Sequence, residues 1–169
     1  AASYEVKEAH VVKPGYERHS AYLDVLSRPL CADLARHGVV PRKSKTLQWP
    51  STIPSGLVRH YVRGYFDGNG SYSGSDQWRV AGSRKFLAEA QAAMASQLGL
   101  SLTKLCDHHS TPEVAYMVYS GKRQLRKIGS WLYFEATIYL PRKLEKLIAI
   151  VQNTEFLTAD FRSCSVSDF

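Results

Sequence analysis

Between Leu57 and Ser71 the chain reads LVRHYVRGYFDGNGS, and this stretch restricts the fold more than any other. Leu57, Tyr61, Gly64 and Tyr65 fall on one face of an α-helix that Ile53-Pro54-Ser55 starts. Gly64 and Gly68 stand four residues apart, so they share a face too. Each glycine costs a helix roughly 1 kcal/mol relative to alanine, a loss that is offset where a second backbone comes close. The prediction is a helix interface at Gly64, Gly68 and Asp67 with a partner helix, by analogy with the small-residue faces of membrane helices. Gly68 or Gly70 is expected to close the helix with a positive φ.

The polar residues at this helix end admit three readings. Acidic groups from two such helices could share divalent ions, and a metal pair stabilises the attacking and leaving oxygens of phosphodiester hydrolysis. Alternatively, Asn69-Gly70 is a common hairpin turn dipeptide, and Asp67 can bond nearby backbone amides. A calcium loop built on Asp67, Asn69 and Ser71 fails, because Tyr72 stands where glycine is needed and Trp78 where glutamate is needed.

Elsewhere the two halves share a grammar of strand, Ser-Arg, apolar helix, terminating glycine and basic strand. In the first half these are Ser20 to Ser27, a helix opened by Arg28-Pro29, Gly38, and an extended piece from Lys43 to Trp49. In the second they are Gln77 to Ser83, a helix from Arg84 to Gln97, Gly99, and a strand from Leu102 to Cys106. Duplication of one unit follows as an expectation. A strand from Val114 to Tyr119, beyond a Ser110-Thr111-Pro112 turn, then precedes helices from about Gln124 to Trp131 and Arg142 to Val151. The expected fold class is α/β in the α+β sense. Its divisions are a half-unit over 1–53, a complete unit over 54–151 and a poorly specified tail over 152–169.

In its 169 residues, 22 Lys and Arg against 15 Asp and Glu leave a formal charge of +7, which favours polyanionic partners. Basic clusters at Arg42 to Lys45, Lys122 to Lys127 and Arg142 to Lys146 strengthen that expectation. Cys31, Cys106 and Cys164 are odd in number and lack CxxC spacing, so neither a cysteine zinc site nor a disulfide scaffold is expected, and the expected setting is reducing and intracellular. No apolar run is long enough for a membrane span and no signal-peptide layout is visible, so no membrane partner is expected.

Val62-Arg63-Gly64-Tyr65-Phe66-Asp67-Gly68-Asn69-Gly70 resembles the signature of the LAGLIDADG homing endonucleases. Gly38 to Leu47, Trp49-Pro50, Ile53-Pro54 and His60 are similar to the approach to the second motif in bacterial, phage and organellar members. Trp131 to Lys143, WLYFEATIYLPRK, resembles the stretch near their C-terminus. The likeness runs from about Tyr22 to Leu147, with three separated segments in the family's order.

The resemblance implies two αββαββα units related by a pseudo-twofold, with motif helices at the centre and curved antiparallel sheets that read double-stranded DNA. It also implies magnesium-dependent DNA cleavage, or, as in some relatives, service as a non-cleaving regulator or an RNA-splicing maturase acting on intron RNA. The metal position falls at Asn69, beside Gly68. There the family has an acid, and an amide oxygen brings no charge to a hard cation, so weakened metal binding is expected. Lys143 matches a basic residue near the scissile phosphates, and Asn69 and Lys143 are therefore the catalytic candidates. Lys43 is a weaker counterpart in the first half. The resemblance also implies an earlier motif helix, because Ala2 to Val6 resembles the strand that follows one. Three explanations are open: the start is missing, a second copy or separate chain supplies the helix, or the unit has lost it. The DNA-facing candidates are Tyr72, Ser73, Ser75, Gln77, Arg79, Lys104, Asp107, His108 and Tyr116, joined by Lys43 and Lys45. Alternation on a strand turns about half of such a set to the wrong face. His108-His109 as a metal pair is disfavoured for the same reason.

Overall fold

Along the segment from Gln77 to Ser83, Trp78, Val80 and Gly82 are buried while Gln77, Arg79 and Ala81 are half-buried. A period of two sends alternate residues to opposite faces, so this strand carries a sheet with one dry side. The computed structural model describes residues 4–152 apart from 42, 51, 75, 109 and 110. Its elements are β1 (Lys7–Lys13), β2 (Tyr16–Tyr22), α1 (Arg28–Arg36), α2 (Val58–Asn69), β3 (Gly70–Ser73), β4 (Gln77–Ser83), α3 (Arg84–Leu98), β5 (Cys106–Asp107), β6 (Val114–Ser120), α4 (Lys122–Tyr133) and α5 (Pro141–Gln152). The fold is mixed α and β with antiparallel sheets. The chain divides into two units, 1–37 and 38–169.

In the second unit the strands lie in the order β3-β4-β6-β5, every neighbour antiparallel. Tyr72, Trp78 and Tyr119 are register partners on the dry face, and Val80 sits opposite Met117. Helices α2 to α5 cover that face with Phe66, Phe86, Leu87, Met94, Leu125, Ile128, Leu132, Leu144 and Leu147, all buried. Burying each such side chain contributes roughly 1.5–3 kcal/mol. Phe66 stacks on Trp78 with centroids 5.0 Å apart and planes at 21°. A glycine admits a close contact between α4 and α5, where a Cβ on Gly129 would collide with the Leu147 side chain. The order of elements, helix, two strands, helix, two strands, helices, is the one expected for this half.

The first unit is a hairpin and one helix. Strands β1 and β2 pair through seven residues around a Pro14-Gly15 turn, with Gly15 at φ +72°. Helix α1 is capped by Ser27 Oγ, which accepts from Leu30 N. Between residues 4 and 37 none of the described residues is buried.

Several expectations shift. The strand expected over Ser20 to Ser27 ends at Tyr22, because the Pro14-Gly15 turn sets the pairing. Of the strand expected over Ala2 to Val6, Ala2 and Ser3 lie outside the described residues and Tyr4 to Val6 precede β1, which starts at Lys7. Lys43–Lys45 is a single 3-10 turn, and the residues after it pack as side chains: Leu47 is buried and Trp49 meets Tyr61 edge-on at 5.3 Å. From Leu102 to Cys106 most residues stand outside the ladder, held by side-chain bonds from Tyr119 to Ser101 O, Gln91 to Thr103 Oγ1 and Thr103 to Val118 O. The signals shared by the two halves recur in their caps. Ser27 and Ser83 both cap helices through the residue three ahead, and Gly38 and Gly99 both take positive φ (+77° and +58°). Neither Gly68 nor Gly70 does. Gly70 leaves the helix extended at φ −96°, and a Cβ there would collide with the Phe66 ring. The tail expected beyond Gln152 lies outside the described residues.

Candidate functional site

The outer face of the four-stranded sheet gathers part of the expected DNA-facing set. On β4 and β6, Gln77, Arg79, Tyr116 and Val118 alternate with the core residues and therefore point away from the helices. The Arg79 guanidinium lies 3.4 Å from the Tyr116 ring centroid, and His108 stacks on the same ring at 5.4 Å between centroids. Ser73 Oγ donates to Gln77 Oε1 at 3.4 Å. With Cys106 and Asp107, these strands line an open depression of about 380 Å³. Asp107 is engaged by Arg84. The face thus offers one cation braced on an aromatic ring, an amide, and hydroxyl groups.

Other members of the set are elsewhere. Tyr72 is a correction: it is buried against Phe66, and its strand partner is Trp78, so it faces the core. Ser75 lies outside the described residues. Lys104 is exposed on the segment before β5, Lys45 pairs with Glu113 at 3.6 Å, and Lys43 is half-buried in the 3-10 turn.

The end of α2 holds a second group of polar residues. Lys143, expected near phosphates, is only 4% exposed. Its Nζ donates to Phe66 O, to Asp67 O at 2.8 Å and to Gly70 O at 2.8 Å, and lies 4.5 Å from the centre of the Phe66 ring. The last carbonyls of a helix have no partner within it and carry partial negative charge. Lys143, delivered from the first turn of α5, satisfies them with all three of its protons. Burial lowers its pKa first, Arg142 adds to that, and Asp67 opposes. Lys143 therefore caps α2 in this fold, with its protons on backbone carbonyls.

Asp67 is turned inward. Its Oδ2 accepts from Leu140 N at 3.0 Å, just ahead of α5, while Oδ1 is buried without a hydrogen-bond partner among the described residues. Burial raises its pKa, with the Leu140 amide, Lys143, Arg63 and Arg142 acting the other way. Burial likewise raises Tyr72 and Tyr133, whose hydroxyls interact with each other. Arg63, which sequence reasoning left without a role, is also buried. It donates to Leu132 O at 2.8 Å and Ile138 O at 2.9 Å and meets His60 Nδ1 at 2.9 Å, closing the end of α4. Only its place on the buried side, next to Val62 and one turn before Phe66 and Asp67, hinted at this.

Asn69 and Gly68 are exposed at the last turn of α2. Asn69 interacts with the Tyr65 hydroxyl, which donates to Ala81 O at 3.1 Å. Nothing lies within 4 Å of a Cβ placed on Gly64 or Gly68. As a magnesium site this end does not fit. Asp67 gives Oδ2 to Leu140 N and keeps Oδ1 buried, its carbonyl goes to Lys143, and the exposed Asn69 offers only a neutral side-chain oxygen, whereas magnesium requires several hard and usually anionic ligands. No family model matches the chain, and neither does any curated protein or solved structure.

Proposed function

We propose that the chain binds double-stranded DNA through the outer face of the β3-β4-β6-β5 sheet, as the LAGLIDADG resemblance implies. The observation that carries this reading is the convergence of Ser73, Gln77, Arg79, Tyr116 and His108 on one sheet face whose opposite side is the core. Amide, guanidinium and hydroxyl groups are the side chains that read base edges, and a net charge of +7 supplies long-range attraction to phosphate. Metal-dependent phosphodiester cleavage, the family activity, needs accessible carboxylate ligands, and the α2 end of this chain offers one carboxylate, Asp67, which is turned inward onto Leu140 N. In this reading the chain on its own recognises DNA without cutting it. The partner helix, from a second copy or a separate chain, docks on the open Gly64 and Gly68 side of α2.

Incubation with a randomised duplex library and magnesium or manganese, scoring bound and cut molecules separately, tests this. Selected duplexes are expected to bind with a steep salt dependence. They stay uncut, and Arg79→Ala weakens the selected site by ~1–3 kcal/mol. Cutting that appears in Asn69→Asp would assign the lost activity to that position. Absence of salt-dependent binding would end the proposal.

A further inference from the structure

The β1–β2 hairpin brings together three side chains that play no part in the DNA-binding reading. His10 and His19 are register partners across the two strands. Glu17, two residues before His19, shares their face by the strand's period of two. One carboxylate oxygen, Glu17 Oε1, stands 2.8 Å from His10 Nε2 and 3.2 Å from His19 Nε2. The two imidazoles stack with centroids 3.9 Å apart and planes 14° from parallel. All three ligand atoms lie within 4.8 Å of one another, and among the described residues no other group of three or more His, Cys, Asp or Glu side chains is so placed.

We propose that this face of the hairpin binds one zinc-class divalent ion through His10 Nε2, His19 Nε2 and the Glu17 carboxylate. Zinc holds imidazole and carboxylate at ~2.0–2.2 Å, and a tetrahedron of that size has edges of ~3.3–3.6 Å. The observed N···O separations are a little shorter, so the ligands spread slightly as the ion enters. The nearly parallel rings must also tilt to bring both lone pairs onto one point. Side chains that are 47%, 73% and 61% exposed for His10, His19 and Glu17 leave room for that movement and for a water in the fourth position. Two imidazoles favour zinc, copper or nickel over magnesium. This site is therefore chemically distinct from the magnesium that the sequence resemblance implies at α2.

A second observation gives the ion a purpose. With no buried residue between 4 and 37 among those described, the hairpin has no core of its own, and an isolated two-stranded hairpin is marginal in water. An ion joining His10 on β1 to Glu17 and His19 on β2 ties the strands together, and its binding free energy becomes folding free energy for the hairpin. The sheet unit has a core and needs no such tie.

Titration of the metal-stripped full chain with zinc chloride by calorimetry, and with cobalt(II) as an absorbing substitute, tests the proposal. One zinc per chain is expected, unaffected by excess magnesium. Binding is lost in His10→Ala and in His19→Ala and weakened in Glu17→Gln, and zinc slows hydrogen exchange of β1 and β2 amides. Unchanged near-ultraviolet circular dichroism from the Trp78 core verifies that the variants keep the sheet unit folded. Absence of saturable zinc binding would overturn the proposal, as would binding that persists in a His10→Ala/His19→Ala double variant.

Discussion

The two units of the chain use the same local signals and reach different ends. Each starts a helix with a serine cap and carries antiparallel strands. In the second unit those elements close over Trp78, Phe66 and Leu147, whereas in the first every described residue keeps contact with solvent. Caps and turns therefore specify where elements begin and stop, and burial decides which of them hold together. The units also place charge differently. In the first, Lys7 meets Asp24 at 3.3 Å with both side chains more than half exposed, an arrangement worth roughly 0–1 kcal/mol. In the second, Lys143 is buried on backbone carbonyls.

The sharpest way to break the contrast is to remove that buried ammonium. Lys143→Ala leaves Phe66 O, Asp67 O and Gly70 O short of a partner at the point where α2, β3 and α5 meet. At about 1 kcal/mol for each lost bond, the sheet unit should lose roughly 3 kcal/mol in urea unfolding. Lys7→Ala, its exposed counterpart, should shift the same curve by less than about 0.5 kcal/mol. Equal effects would show that Lys143 is not the cap its geometry indicates.

A smaller and more symmetrical comparison uses the two serine caps. Ser83 Oγ accepts from Phe86 N at 3.4 Å and donates to Leu47 O at 2.5 Å, so Ser83→Ala removes a cap and a buried long-range bond together. A loss of about 1–2 kcal/mol is expected in the unfolding of the sheet unit. Ser27→Ala removes only the 3.3 Å bond from Leu30 N on an exposed helix. It should lower far-ultraviolet helix signal at α1 by fraying while the sheet unit's midpoint stays in place. A shift of that midpoint by Ser27→Ala would mean that the two units unfold as one.

What could be read from the chain follows the same division between local and distant causes. Helices α3, α4 and α5 and strands β4 and β6 were legible within a few residues, because Ser83, Gly99, Pro141 and the alternation of β4 are local signals. The hairpin pairing was not foreseen, and with it the His10, Glu17 and His19 grouping stayed invisible, since those residues meet only through register. Tyr72 was placed on the wrong face for want of the same information. The burial of Lys143 and Arg63 is illegible for another reason: their partners are carbonyls some seventy residues away, and no side-chain pattern announces a backbone acceptor. Gly64 and Gly68 have open space where a partner helix was expected, and the glycine that does admit a close helix contact, Gly129, sits in a stretch with no second glycine to mark it.

The subtlest expected effect concerns Asp67, the one acid in the second unit's buried polar junction. Burial raises its pKa above 3.8 in the fold, against the opposing pull of Leu140 N, Lys143, Arg63 and Arg142. A carboxyl that holds its proton more tightly when folded binds more protons in the native state than in the unfolded one across that interval. Its contribution is therefore full below pH 3.8 and is lost as pH rises through the folded value. Asp67→Asn keeps an oxygen for Leu140 N and cannot ionise, so it should not share that loss. The difference in urea stability between variant and wild type should move in the variant's favour on going from pH 4 toward neutrality, with the hairpin's hydrogen exchange unchanged. A difference that is flat, or that runs the other way, would mean that the cations around Asp67 outweigh its burial.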